Sequence, residues 1–136
     1  MHSPSAINIK YIYEGPEFKV QPITGRDLME VCTSSKKTAA GLDNWEPAEL
    51  GMLSLTTFDW LAKLLNMVED GRPWPDGLQH SKAAYLSKDQ NRTDDPLAYR
   101  VLMILPASYR RWGTLRLKHL QPWAEKWVLP EMYAGV

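Results

Sequence analysis

Apolar residues in the middle of the chain recur at the spacing of an amphipathic helix. In residues 46–71 they return every three to four positions, which predicts one helical face turned toward a core. Ser54, followed shortly by two threonines, predicts a break or a second N-cap inside this stretch. Gly71 marks the expected end, because Pro73 cannot continue a helix. The predicted buried stripe comprises Leu50, Leu53, Phe58, Leu61, Leu64, Leu65 and Val68.

Two further helices are predicted on either side of this one. Residues 23–35 open with Thr24, and an aspartate three positions later completes a capping-box pattern. Residues 107–121 carry aromatic and leucine side chains along one side. Gly113 lies in the middle of that helix, where a missing side chain allows another backbone to approach closely. Pro122 suits the first turn of a separate, following helix.

A β-hairpin is predicted in the second half. Residues 81–88 and 97–105 are short and apolar, and the later one is rich in β-forming residues. The residues between them are dense in turn formers, so the hairpin has a long tip. Pro96 stops strand pairing at the base of that tip. With the helices, this predicts an α+β fold in which helices pack around a β-hairpin.

Two other segments have weaker patterns. Residues 6–15 alternate loosely between polar and apolar, which predicts a strand or an arm that orders only against a partner. Residues 35–45 form a predicted loop, in which Gly41 and Asn44 tolerate left-handed backbone.

Charge is unevenly distributed along a chain whose formal net charge is zero. Residues 41–80 carry 2 Lys/Arg and 7 Asp/Glu, whereas residues 81–136 carry 9 Lys/Arg and 5 Asp/Glu. A polyanion is therefore expected to meet the second half of the chain.

Composition limits the expected cellular location and the kinds of site that the chain can form. Cys32 is the single cysteine, so no internal disulfide is possible and an intracellular location, cytoplasmic or nuclear rather than secreted, is expected. No apolar run is long enough to span a membrane. Cys32 is predicted to be a core thiol, since no nearby histidine activates it. His2, His80 and His119 lack metal-ligand spacing, so no zinc site is expected.

Asp94 and Asp95 raise the question of a different metal site. Adjacent carboxylates hold paired divalent metals in polymerases and nucleases. Here the pair lies in a predicted hairpin tip, directly before Pro96, and lacks the strand–turn–strand setting that would aim both carboxylates into a cleft. A solvated polar turn is the preferred interpretation, and no metal site is predicted.

Three stretches, in this order, resemble a known family. They are KKTAAGLDNW (36–45), GRPWPDGLQHSKAAYLSK (71–88) and LAYRVLMILPASYRRWGTLRLKHL (97–120). Together they resemble the start of a reverse transcriptase domain of the non-LTR retrotransposon type. Asn44 stands where the family usually has glycine, and Val101 replaces a proline.

The resemblance implies an incomplete fingers subdomain of a right-hand polymerase, with the edge of the palm, over residues 18–136. Residues 1–17 would be an N-terminal arm or strand. In the family the metal-binding aspartates come later, so no catalytic residue, resident cofactor or activity is expected in this stretch alone. The complete family domain uses Mg²⁺. The implied partners are an RNA or DNA template–primer, a dNTP and the missing palm region of the same polyprotein.

The resemblance also assigns residues to roles. Lys88 and Arg100, expected to face each other across the hairpin, match the lysine and arginine that grip the triphosphate of the incoming nucleotide. Trp112 is predicted to be a core residue rather than a base-stacking one. Template phosphates would meet Arg110, Arg111, Arg116 and Lys118.

Three functions are open at this point. The first is an N-terminal fragment of an RNA-directed DNA polymerase from a retrotransposon-like element, contributing nucleotide and template contacts. The second is a non-enzymatic module, derived from such a fragment, that binds RNA or protein. An unrelated small α/β enzyme is the weakest, because the chain has no nucleophile–base motif and no glycine-rich phosphate loop.

Overall fold

The computed structural model describes residues 15–128, which form a mixed α+β fold. The predicted strand at 6–15 lies almost entirely outside these residues. Five α-helices and one two-stranded antiparallel sheet are present in the described part. In chain order the elements are α1 (Gly25–Thr33), α2 (Pro47–Leu50), α3 (Leu55–Glu69), α4 (Asp76–Gln79), β1 (Lys82–Ser87), β2 (Tyr99–Ile104) and α5 (Ala107–Ala124).

The predicted capping box at the start of α1 is confirmed. The Thr24 hydroxyl accepts a hydrogen bond from the Asp27 backbone N–H, and the Asp27 carboxylate accepts one from the Thr24 backbone N–H. The hydrogen bond from the Thr24 side chain is also the main reason why the pKa of Asp27 is lowered. Just before this cap, Asn66 of α3 exchanges two hydrogen bonds with the backbone of Ile23, at 2.8 and 2.9 Å. The start of α1 is thereby fixed to α3.

The break predicted within residues 46–71 is confirmed. The short helix α2 ends at Leu50, and Ser54 caps α3 by accepting a hydrogen bond from the Thr57 backbone N–H. Gly71 follows the end of α3 with φ of 99°, a left-handed conformation that suits glycine. The longest apolar pattern in the sequence therefore makes two helices of unequal length.

The core lies between the helices. Phe58 at its centre has no exposed surface, and α1 packs against α3 and α5 around it. Trp112 packs against this core from α5, as predicted. Burial raises the pKa of the Cys32 thiol to about 11, so it is protonated at neutral pH. The buried core residues are Ile23, Leu28, Val31, Cys32, Leu50, Phe58, Ala62, Leu65, Ala107 and Leu115.

The hairpin is confirmed, but its predicted place at the centre of the helices is wrong. β1 and β2 pair in antiparallel register, with Tyr85 opposite Val101. Most residues of both strands are exposed, and neither strand contributes to the core cluster of the described residues. The physical reason is that α3 and α5 bury their apolar faces against α1 and the shared core, which leaves no face for the sheet. The short helix α4 before β1 was not predicted.

Two expectations for α5 are wrong. The helix continues through Pro122 and ends at Ala124, rather than giving way to a separate helix. Proline lacks a backbone N–H and therefore removes one helical hydrogen bond. It is tolerated here because Pro122 lies in the last turn, where few helical hydrogen bonds remain to be disturbed. Gly113 has no close neighbour, since nothing lies within 4 Å of the position that a Cβ would occupy.

The loop between α1 and α2 uses its two special residues differently. Asn44 has φ of 59°, the left-handed conformation predicted for it. Gly41 is needed for close approach, because an added Cβ would lie 2.9 Å from the Leu105 carbonyl oxygen and from Pro106. The loop therefore holds the junction between β2 and α5.

Candidate functional site

Lys88 and Arg100 project from the same face of the hairpin near its tip. Arg100 is paired with Leu86, and Lys88 lies one position beyond the end of β1, where its backbone N–H donates to Ala98 O at 2.7 Å. Side chains alternate between faces, so Lys88, Leu86 and Arg100 share one face. The two cations are thus diagonal neighbours, about 7–8 Å apart at the backbone, and do not face each other directly as expected.

Neither cation is neutralised by the fold. Lys88 and Arg100 are exposed, and neither forms an ion pair with a carboxylate in residues 15–128. The Lys88 ammonium donates one hydrogen bond, at 3.3 Å, to the Leu97 carbonyl oxygen. Two positive charges on one face, available to solvent, suit an anionic group that spans the distance between them.

Asp94 and Asp95 have local structural roles. Asp95 pairs with Arg92 and caps the single 3-10 turn at Pro96–Ala98, accepting a hydrogen bond from the Leu97 backbone N–H at 2.8 Å. Asp94 accepts one from the Thr93 hydroxyl at 2.8 Å. Across residues 15–128, no group of three or more histidine, cysteine or acidic side chains is placed to hold a metal ion.

Other hydrogen bonds order the tip that carries Lys88. The Tyr99 hydroxyl donates to the Thr93 carbonyl oxygen at 2.9 Å, and the Asn91 backbone N–H donates to the Asp89 carboxylate at 2.9 Å. The second hydrogen bond closes a turn in which the aspartate side chain takes the place of a backbone acceptor. Lys88 therefore leaves an ordered segment, which reduces the entropy lost when it binds a ligand.

Two of the four predicted template residues use their side chains in hydrogen bonds within the helical part. Arg116 donates to both carboxylate oxygens of Glu69 and, at 2.8 Å, to the Gln21 carbonyl oxygen. Hydrogen bonding to Arg116 is the main reason why the pKa of Glu69 is lowered. Arg110 donates to the Thr38 hydroxyl at 3.1 Å and to the Ala39 carbonyl oxygen at 2.6 Å. These arginines join α5 to α3 and to the segments around α1.

The other two template candidates are less constrained. Lys118 donates to the Glu30 carboxylate at 2.6 Å, but both side chains are more than half exposed. Such surface pairs exchange readily with solvent. Arg111 is half-buried and forms no ion pair in the described part of the chain. The structure does not bring these α5 residues into one cluster with the hairpin cations.

Sequence reasoning missed an apolar groove between α3, α5 and the segment that precedes α1. Its volume is about 810 Å³, and the Glu69–Arg116 pair lies on its wall. Residues 18–22 contribute Phe18, Val20 and Pro22 to the groove. They lack regular secondary structure, so no periodic pattern of apolar residues predicted that they would line a groove. The remaining wall is made by Gln21, Asn66, Asp70, Leu117 and Leu120.

No protein-family model, curated protein or solved structure matches this chain. Among residues 15–128, none of the helices combines the length and apolar character needed to cross a membrane.

Proposed function

We propose that this chain is an N-terminal fragment of an RNA-directed DNA polymerase that contributes contacts to the incoming nucleotide and to the template. The observation that carries the proposal is the pair of unneutralised cations, Lys88 and Arg100, on one face of a projecting hairpin. The α+β arrangement and the order of the three family-like stretches support it.

The two cations have complementary chemistry for a triphosphate. Lysine supplies a compact charge, whereas the planar arginine side chain offers two parallel hydrogen bonds to phosphate oxygens. Arg100 is anchored within β2, and Lys88 follows β1 directly, so both have fixed backbones. In a complete domain, Mg²⁺ would position the α-phosphate while these residues neutralise the remaining charge. Mg²⁺ and the palm region are thus partners in the proposal.

For the template, Arg111 and Lys118 are the better-supported contacts of the four. Arg110 and Arg116 already use their hydrogen-bond donors within the fold. Moving either one to a phosphate would leave Glu69 or a backbone carbonyl without its present partner. The proposal therefore relies on the hairpin for nucleotide binding and on Arg111 and Lys118 of α5 for the template.

One observation favours the alternative, a non-enzymatic module that binds RNA or protein. Apolar side chains on both faces of the hairpin are exposed, including Tyr85, Leu86 and Met103. Exposed apolar groups clustered on one element are typical of a protein-binding surface. A module that binds only protein would not need Lys88 and Arg100, so RNA and nucleotide titrations separate the two functions.

The test is a fluorescence-anisotropy titration of labelled single-stranded RNA at two salt concentrations, with a dNTP as competitor. Arg100→Ala should weaken binding by about 1.5–3 kcal/mol if its side chain engages phosphate. Arg100→Lys should recover part of that loss, because the charge returns but the paired hydrogen bonds do not. A variant that no longer neutralises one phosphate should show a salt slope that is smaller by about 0.7.

Two controls use residues of the same hairpin. Lys82→Ala removes an exposed cation from the other end of the same face and should change binding less than Arg100→Ala does. Replacing Asp94 and Asp95 together by Asn should leave binding unchanged or slightly stronger, because negative charge near a polyanion is removed. Binding that depends on Mg²⁺ and on this aspartate pair, with Arg100→Ala silent, would reject the proposal.

A further inference from the structure

The outer edge of β2 carries backbone groups that the hairpin itself does not use. The hydrogen bond from Lys88 N–H to Ala98 O sets the alternation of the antiparallel ladder. Residues in the intervening pairs point their N–H and C=O groups outward. On β2 these residues are Tyr99, Val101 and Met103, of which the Tyr99 N–H already donates to the Pro96 carbonyl oxygen. On β1 they are Ala83, Tyr85 and Ser87.

The two edges differ in charge. β1 is flanked by Lys82 and Lys88, and lysine is a residue that natural proteins use to discourage edge pairing. Residues 101–104 of β2, Val-Leu-Met-Ile, have neither charge nor proline, and the single charged residue of that strand is Arg100. An isolated two-stranded sheet is marginally stable in water, so a further strand would stabilise it. The free edge that suits pairing is the edge of β2.

We propose that two copies of this chain pair through their β2 edges and form a four-stranded antiparallel sheet. The two-fold axis passes beside Val101, which pairs with Val101 of the second copy. Tyr99 then lies opposite Met103 of the second copy, and sulfur–aromatic contacts of this kind are favourable. The N–H and C=O of Val101, the N–H of Met103 and the C=O of Tyr99 are used, and Arg100 lies opposite Leu102 rather than opposite another cation.

Alternative pairings are less favourable. Pairing of two β1 edges about Tyr85 uses every outward group of that strand, but it places Lys82 opposite Lys88 of the second copy at both ends. Like charges directly opposite each other destabilise a sheet. A β2 register centred on Leu102 moves Tyr99 opposite Leu105, which lies past the end of β2, and therefore loses the contact between Tyr99 and Met103.

Charge at the ends of the hairpin agrees with this arrangement. Antiparallel pairing brings the tip of each hairpin to the base of the other. The tip carries Asp89 and Asp94, which form no ion pair in the described residues. The base leads into α5, whose first turns contain Arg111, which forms no ion pair in the described residues. Acidic and basic segments of the two copies thus approach each other.

The pairing has a consequence for the cation face. Lys88 and Arg100 of one copy, followed by Arg100 and Lys88 of the second, form a diagonal row across the four strands. Neighbours in this row are about 7–8 Å apart at the backbone. The row would present one continuous track to a polyanion. This consequence, unlike the pairing itself, rests on the proposed function.

Disulfide formation tests the position of the contact. Val101→Cys should give a reducible dimer under mild oxidation, because Cα atoms of a hydrogen-bonded antiparallel pair lie about 5.5 Å apart, within disulfide range. Tyr85→Cys is the matched control on the other strand. Tyr85 is 67% exposed and Val101 58%, so random collision would favour the control. Cys32 is 1% exposed and stays in both variants.

Analytical ultracentrifugation tests the same contact without covalent chemistry. Val101→Lys places two lysines opposite each other and should weaken the wild-type dimer by about tenfold or more, whereas Tyr85→Lys should not. A wild-type chain that is monomeric at its solubility limit, equal crosslinking of the two cysteine variants, or open-ended assembly would overturn the proposal. A dimer that meets these tests while Arg100→Ala leaves RNA binding unchanged would retain the pairing and reject the proposed function.

Discussion

The helical part and the hairpin use their cations in opposite ways. In α5, Arg110 and Arg116 donate to a hydroxyl, to backbone carbonyls and to the Glu69 carboxylate. On the hairpin, the Lys88 side chain makes one weak contact with a backbone carbonyl, and the Arg100 side chain makes no hydrogen bond or ion pair in the part of the chain that the structure describes. The same residue types hold one region together and remain available in the other.

This difference changes the meaning of the charge asymmetry. The acidic stretch at 41–80 and the basic stretch at 81–136 are in contact, since Glu69 of the former pairs with Arg116 of the latter. Part of the positive charge of the second half is therefore neutralised within the fold. The positive charge that remains for a ligand lies mainly on exposed residues, and those on the hairpin are the best placed.

The largest expected contrast between the two regions concerns stability. Phe58→Ala should lower the free energy of unfolding by about 3–5 kcal/mol, because it leaves a cavity in the core. Tyr85→Ala removes a ring of similar size from the hairpin surface and should cost less than about 1 kcal/mol. Urea unfolding followed by tryptophan fluorescence measures both. Similar losses in the two variants would show that the hairpin is covered in solution.

The second contrast concerns the arginines. Arg116→Ala should lower the free energy of unfolding by about 1.5–3 kcal/mol, because it removes the hydrogen bonds to Glu69 and to the Gln21 backbone. RNA affinity should be unchanged. Arg100→Ala should do the reverse, leaving stability intact and weakening RNA binding. Lys118→Ala breaks an exposed pair and should cost less than about 1 kcal/mol.

The pH dependence of stability in acid gives a second test of the Glu69–Arg116 pair. Because the folded-state pKa of Glu69 is below its unfolded value, its contribution is fully present above the unfolded pKa and is lost as the pH falls through the folded pKa. Unfolding free energy measured across the acid range should therefore depend less on pH in Arg116→Ala than in the wild type. Equal pH dependence in the two proteins would contradict the assigned role of the pair.

The smallest expected effect comes from two glycines. Gly113→Ala should raise the free energy of unfolding by about 0.5–1 kcal/mol, since alanine is the better helix former and the site has room. Gly41→Ala should destabilise the chain, because the new Cβ would meet Leu105 and Pro106 at 2.9 Å. Both changes in the free energy of unfolding are measured from the midpoints of urea unfolding curves that have the same slope. Stabilisation by Gly41→Ala would mean that the β2–α5 junction is not held by this loop.

Local chemistry made the secondary elements predictable. The Thr24 cap, the break at Ser54, the left-handed Asn44 and Gly71, and the hairpin all follow from residue type and spacing. The end of α5 was not predicted correctly, because the destabilisation that Pro122 causes depends on how many helical hydrogen bonds follow it. The free hairpin residues Lys88 and Arg100 were identified by resemblance, and their role stays a prediction.

By itself the sequence determined both strands and every helix of the described residues except α4 and the end of α5, because capping, turn chemistry and hydrophobic spacing act over a few positions. It did not determine which cations are free, because that depends on carboxylates and carbonyls far away in the chain. Arg116 lies 47 positions from Glu69 and 95 from Gln21, yet donates to both. Only the tertiary arrangement, which brings Arg116 of α5 next to Glu69 of α3 and to the segment before α1, decided that Arg116 is structural while Arg100 remains open to a ligand.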